Sequence, residues 1–145
     1  GGDATPMPYS EVYQALLQGV VDGAENNWPS FESSRHFEAA KYYSLTRHVM
    51  APEVLVMSAK RWRKLSPEDQ ELIRVCAKDS VPYMRDLWDA RAAHSREIVL
   101  ASGVEVNEPD ILPFQEKVRP VWEKYLNTPE LRGLADSIQA VEVAE

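Results

Sequence analysis

The chain has 145 residues, 44% of them hydrophobic and 27% charged, which is the make-up of one folded domain with a core and not of a disordered chain. Acids outnumber bases 23 to 16, giving a net charge of −7 that argues against nucleic-acid binding as the main activity, because nothing here would neutralise a phosphate backbone. No apolar run approaches membrane-spanning length, and a single cysteine, Cys76, excludes an intrachain disulfide and any cysteine-based metal site.

Thr5-Pro6 and Met7-Pro8 predict an extended start, since each proline pushes the residue before it toward β or polyproline geometry. A helix follows, with Ser10 as its expected cap and Val12, Leu16 and Val20 recurring every four residues beside Tyr13 and Leu17. Gly19 stands where a left-handed C-terminal cap is wanted. Val20-Val21 reads as a fragment of a buried strand. The loop Glu25-Asn26-Asn27-Trp28 then puts donors, acceptors and an apolar ring into four positions, a mixture suited to a polar small molecule with one hydrophobic face.

From Ser30 to Tyr43 the aromatic and small residues Phe31, Phe37, Ala40 and Tyr43 form a weak helical pattern. Tyr43 to Met50 and Val54 to Met57 read as one or two strands interrupted at Pro52, which belongs at an edge or a crossover. Ser58 is a candidate cap for a short helix through Trp62. Ser66-Pro67-Glu68-Asp69 is a strong helix start: a capping serine, proline in the first turn, and acids at the positive end of the dipole. That helix is predicted to reach Ser102 before Gly103 stops it, with a kink or break at Pro82. Leu72, Cys76, Ser80, Tyr83, Leu87, Arg91, His94 and Ile98 fall near one stripe, so Cys76 reads as a small buried hydrophobe. Val104-Glu105-Val106 is a candidate strand. Pro109-Asp110 opens a helical region with Phe114, Val118, Val121, Trp122 and Tyr125 at helical spacing around Pro120. Thr128-Pro129-Glu130 starts a last helix with Leu131, Leu134, Ile138 and Val141 on one face. The fold class is therefore α/β and helix-rich, with long helices and a few short strands.

The opening stretch resembles the solute-binding subunits of TRAP transporters, the tripartite ATP-independent periplasmic carriers. The resemblance rests on Thr5-Pro6-Met7-Pro8-Tyr9-Ser10-Glu11-Val12-Tyr13-Gln14-Ala15-Leu16 and on Gly19-Val20-Val21-Asp22-Gly23-Ala24-Glu25-Asn26. Thr46-Arg47-His48, Leu55-Val56-Met57-Ser58, Leu65-Ser66-Pro67-Glu68-Asp69-Gln70, Gly103-Val104 and Pro109 continue it in order, so it covers essentially the whole chain. It implies a longer protein with two α/β lobes that close on a ligand. This chain would then be the C-terminal portion, and the family's ligand-clamping arginine would lie on a strand before Gly1. In that scheme residues 1–48 belong to a ligand-loop lobe, 49–106 hold the crossover strand and linking helices, and 107–145 are C-terminal helices.

The resemblance also assigns roles. Tyr9 matches the aromatic that packs on ligand, and a core aromatic before a helix is the plainer reading. Asn26 matches the asparagine that hydrogen-bonds the solute, an amide being able both to donate and to accept; a turn asparagine is the alternative. Asn27-Trp28 departs from the commoner family sequence, in which proline follows the asparagine. The form Asn26-Asn27-Trp28-Pro29-Ser30 is similar to uronate-binding members, where an indole would cover a sugar's C–H face and amides would take hydroxyls; packing in the loop core is the alternative for Trp28. Glu25 and His48 match a polar network beside the ligand, and a buried carboxylate there would favour imidazolium. A structural ion pair explains them equally well. Glu53, Arg35 and Arg47 read as solvated, and His36 and His94 as ordinary helix residues.

The implied function is a periplasmic subunit that captures an organic acid, a sugar acid such as a uronate, and passes it to membrane permease subunits. It needs no metal, cofactor or catalytic group. The alternatives are a small-acid lyase or hydrolase using Glu25 and His48 as base and acid, and a helical interaction module. Surfaces uncovered by truncation would favour a homo-oligomer.

Overall fold

The computed structural model describes residues 2–141. Its elements run α1 (Tyr9–Leu17), α2 (Trp28–Ser33), α3 (His36–Ala39), β1 (Tyr42–Ser44), α4 (Ala59–Trp62), α5 (Pro67–Ala101), β2 (Glu105–Asn107), α6 (Leu112–Tyr125) and α7 (Pro129–Gln139). They divide into two compact units, Gly1–Asn107 and Glu108–Glu145.

In the first unit α1 starts one residue earlier than its expected cap. Pro8 occupies the N-cap at φ −58°, no side chain caps the first turn, and Ser10 lies inside the helix. The far end is as expected. Gly19 takes φ +69°, its N–H donates to the Leu16 carbonyl at 3.3 Å, and the Val20 N–H donates to the Ala15 carbonyl at 2.9 Å, the paired bonds of a Schellman turn. That turn overrides the strand expected at Val20-Val21. The Val21 N–H also goes to the Ala15 carbonyl, so neither residue has a donor left for a ladder, and Val20 is 66% exposed.

The helical pattern over 30–43 resolves into two short pieces. Asn27 caps α2 by accepting the Ser30 N–H at 2.9 Å, with Pro29 in the first turn. Arg35, in the left-handed region at φ 58°, separates α2 from α3.

β1 pairs with β2 in parallel: Tyr42 with Glu105, Tyr43 with Val106, Ser44 with Asn107. Parallel strands need a crossover, and α5 supplies its greater part. The longer strands expected over 43–50 and 54–57 are absent from the structure. β2 offers three residues to pair with, and Arg47 at φ 45° turns the chain off the ladder. Leu55, 81% exposed, shows that an apolar β-prone run does not become a strand without a neighbour.

α5 starts as predicted: Ser66 accepts the Asp69 N–H at 3.1 Å and its hydroxyl donates to the Asp69 carboxylate at 2.9 Å. The helix continues through Pro82 without a break and ends ahead of Gly103, at φ +84°. Below it, Ser58 holds the N-cap position of α4 without a side-chain bond. Gln70 donates to the Trp62 and Leu65 carbonyls at 3.0 and 3.3 Å, and Arg74 lies 4.9 Å over the Trp62 ring. The C-terminal part of α5 meets the core. Phe31, Val99 and Val104 are buried together, with Trp28, Phe37, Ala40 and Tyr43 packed around them. An ion pair between Arg91 and Glu32 ties α5 to α2. The stripe through Leu72, Cys76, Tyr83 and Leu87 is uncovered, so Cys76 is exposed and not the buried hydrophobe its spacing suggested.

The second unit is a pair of helices. Asp110 accepts the Leu112 N–H at 3.0 Å ahead of α6, which runs through Pro120, and Thr128 caps α7 at Leu131 N–H, 3.3 Å away. Val118, Trp122, Leu134 and Ile138, expected on apolar faces, remain exposed. Among the described residues no helix is long and apolar enough to cross a membrane.

Candidate functional site

A hollow of about 640 Å³ opens in the first unit where the loop after α1 passes the segment from α3 through β1. Glu25 and Asn26 line one side; Lys41, Tyr43, Thr46 and His48 line the other, with His36 at the aromatic end.

Asn26 is half-buried and held twice. Its side-chain Oδ1 accepts the Asn27 N–H at 2.9 Å, and its backbone carbonyl accepts the Tyr43 hydroxyl at 2.7 Å. With one lone pair of Oδ1 engaged, the amide still offers its two N–H donors, matched to a ligand rich in acceptor oxygens. Lys41 donates to the Phe37 carbonyl at 3.0 Å and adds positive charge to the opposite wall.

The sequence-selected residues separate into two groups. Glu25, Asn26 and His48 come together at the hollow. His48 Nε2 lies 4.0 Å from the Glu25 carboxylate, with side chains 53% and 73% exposed, and the Nδ1 of His48 is 2.7 Å from Thr46 Oγ1. The pair is thus at the surface and not the buried pair that was expected. Tyr9, Asn27 and Trp28 are outside the hollow's lining. The Tyr9 hydroxyl donates to the Ser30 carbonyl at 3.2 Å and contacts the Ser34 hydroxyl, its ring lying 5.7 Å from that of His36. Asn27 spends its amide oxygen on the α2 cap. Trp28 stacks on Tyr43 at 3.8 Å and 18° and packs against the core.

Two residues of the hollow escape a pattern reading. His36 is 2% exposed, its Nε2 has no hydrogen-bond partner among the described residues, and burial lowers its pKa. Tyr43 is held above the usual phenol range by burial and, secondarily, by the charge of Glu25. The available signal was the Tyr42-Tyr43 pair ahead of a β-prone run, which in a strand sends one ring out and one in. Away from the hollow, Glu38 is held below the usual carboxylate range by the Tyr13 hydroxyl, which donates to it at 2.7 Å, and by Arg35.

The family model for bacterial extracellular solute-binding proteins, family 7 (DctP), matches residues 1–128. The chain belongs to this family. The DctP chain is 46% identical over 141 residues to a solute-binding protein of Chromohalobacter salexigens, covering 96% of the chain and 42% of that protein. Among solved structures it is 56% identical to a TRAP periplasmic solute-binding protein of Bradyrhizobium sp. in complex with α/β-D-galacturonate, with a TM-score of 0.83 covering 94% of this chain and 46% of that one. It is 49% identical to a TRAP periplasmic solute-binding protein of Roseobacter denitrificans with bound β-D-glucuronate, with a TM-score of 0.90 covering 98% and 48%. This DctP chain therefore spans about half the length of the relatives it matches. The family resemblance carried by Thr5 to Asn26 holds, and so does the helix-rich α/β fold class.

Proposed function

We propose that this chain supplies one wall of the ligand cleft of a TRAP-type periplasmic solute-binding protein that captures a hexuronate and hands it, chemically unchanged, to a membrane permease. The observation that carries the reading is the 56% identity to a protein solved with galacturonate, supported by the glucuronate-bound relative. The hollow is consistent with it. Asn26 offers two amide donors, and Lys41 and His48 add cationic or donor groups for a carboxylate and hydroxyls. Tyr9, outside the lining but half exposed with its ring 5.7 Å from that of the lining residue His36, would meet a sugar only at that end of the hollow, while Asn27 and Trp28 hold the loop that presents Asn26. Glu25 and His48 complete the polar rim. Closure follows if the sugar acid touches this wall and the opposing half together, because a ligand shifts a conformational equilibrium by its differential affinity for the two states.

Calorimetry on the chain extended to its relatives' full length tests this. D-Galacturonate or D-glucuronate should bind, D-galactose and D-glucose should not, and Asn26→Ala should weaken the uronate by roughly tenfold, the loss of one buried hydrogen bond to a charged or polyhydroxyl ligand. Absence of uronate binding, or equal affinity for the neutral hexoses, refutes the reading.

A further inference from the structure

The loop from Val20 to Asn26 has no helix or strand of its own, yet it must present the Asn26 amide in one direction. Two hydrogen bonds settle that direction. The Asn26 Oδ1 accepts from the Asn27 N–H, which locks the amide plane to the local backbone. The Asn26 carbonyl accepts from the Tyr43 hydroxyl, which locks that backbone to β1. Tyr43 in turn has little freedom. Its Cα is in register with Val106 across the parallel pair. One ring face stacks on Trp28 at 3.8 Å, and Phe31 meets the ring edge-on at 5.1 Å and 65°. Phe31 belongs to the buried cluster with Val99 and Val104. A rigid path thus runs from the core through one phenol to the loop.

We propose that Tyr43 is a positioning residue for solute binding: through its hydroxyl bond to the Asn26 carbonyl it holds the Asn26 amide donors aimed into the hollow. Burial keeps the phenol protonated and therefore a donor across the physiological range. The proposal rests on the hexuronate reading above, with Asn26 as a ligand contact.

The test is a double-mutant cycle on the chain extended to its relatives' full length, with D-galacturonate binding read by calorimetry. Tyr43→Phe keeps the ring stack and removes only the donor. It should weaken binding about fivefold in the parent background and by less than about twofold when Asn26 is already alanine. An equal loss in both backgrounds, or no loss in either, overturns the positioning role. If Asn26→Ala weakens binding and Tyr43→Phe does not, this inference alone falls. If the parent fails to bind uronates, or Asn26→Ala leaves affinity unchanged, the hexuronate site falls and takes this inference with it. A second readout does not depend on the variant folding. In the unsubstituted protein the two Asn26 side-chain N–H resonances should show the order of a fixed group by ¹⁵N relaxation, and values typical of a freely rotating amide overturn the proposal.

Discussion

Replacing His36 with phenylalanine should stabilise the protein near neutral pH and flatten its response to mild acid. His36 is 2% exposed, its ring set 5.7 Å from Tyr9 and 6.4 Å from Phe31, and its Nε2 has no partner among the described residues. A buried polar atom left unpaired costs about 1–3 kcal/mol. A phenyl ring is one atom larger, and overpacking takes back about 1 kcal/mol or more, which leaves a net gain of about 1 kcal/mol. The pH effect has a definite sign. Burial lowers the native pKa below the ordinary value of 6.5, so the unfolded chain takes up the proton first. The contribution of the neutral ring is complete above 6.5, declines as pH falls below it, and is gone below the native value. Urea unfolding at pH 8, 7, 6 and 5, followed by tryptophan fluorescence, measures both effects. The parent should lose stability from pH 7 to 5 more steeply than His36→Phe. A variant less stable than the parent at pH 8 by more than about 1 kcal/mol, with the same acid slope, would show that Nε2 is well bonded and that the ring is not the source of the pH dependence.

Further substitutions separate local causes. Ser66→Ala removes the α5 cap and should cost about 1 kcal/mol in chemical denaturation, whereas Ser10→Ala, at a residue inside α1 that caps nothing, should change stability by only a few tenths. Gly19→Ala should cost about 1 kcal/mol by the same assay; nothing lies within 4 Å of the added Cβ, so the penalty is wholly that of φ +69°. Val99→Ala, at a fully buried position, should cost about 2–3 kcal/mol from lost transfer energy plus the cavity, read as a lower urea midpoint at unchanged m-value. Asn27→Ser should keep the α2 cap and Asn27→Ala should lose about 1 kcal/mol; if the two variants have equal thermal midpoints, the amide oxygen is not capping.

What could be read along the chain was whatever a few neighbouring residues decide. Ser66-Pro67, Thr128-Pro129, Gly19 and Gly103 mark ends because caps and left-handed turns are settled within one turn of backbone. Even the cap at Asn27 had a local signature, an asparagine two residues before a proline, although the resemblance drew it toward the ligand. Burial was another matter. The spacing from Leu72 to Leu87 says that a face can be covered and is silent on what covers it, so Cys76 could be placed on the stripe but not in or out of solvent. Strand length failed for the same reason: Val54-Leu55-Val56 has the propensity of a strand and no partner to express it. The deciding long-range event in the first unit is the pairing of Tyr42–Ser44 with Glu105–Asn107; the residue pattern marks strand-prone runs at Tyr43 to Met50 and Val104 to Val106, but not that they pair with each other or over how few residues. Every contact that depends on this pairing was out of reach of local rules, including the Tyr43 hydroxyl on Asn26 and Phe31 against Val99. Glu25, Asn26 and His48 could nevertheless be grouped before any coordinates, because a family resemblance carries a whole tertiary pairing with it. The hollow's lining does not include Tyr9, Asn27 or Trp28, and at Asn27-Trp28, where this chain departs from the commoner pattern, the departure builds a helix cap and a ring stack on Tyr43.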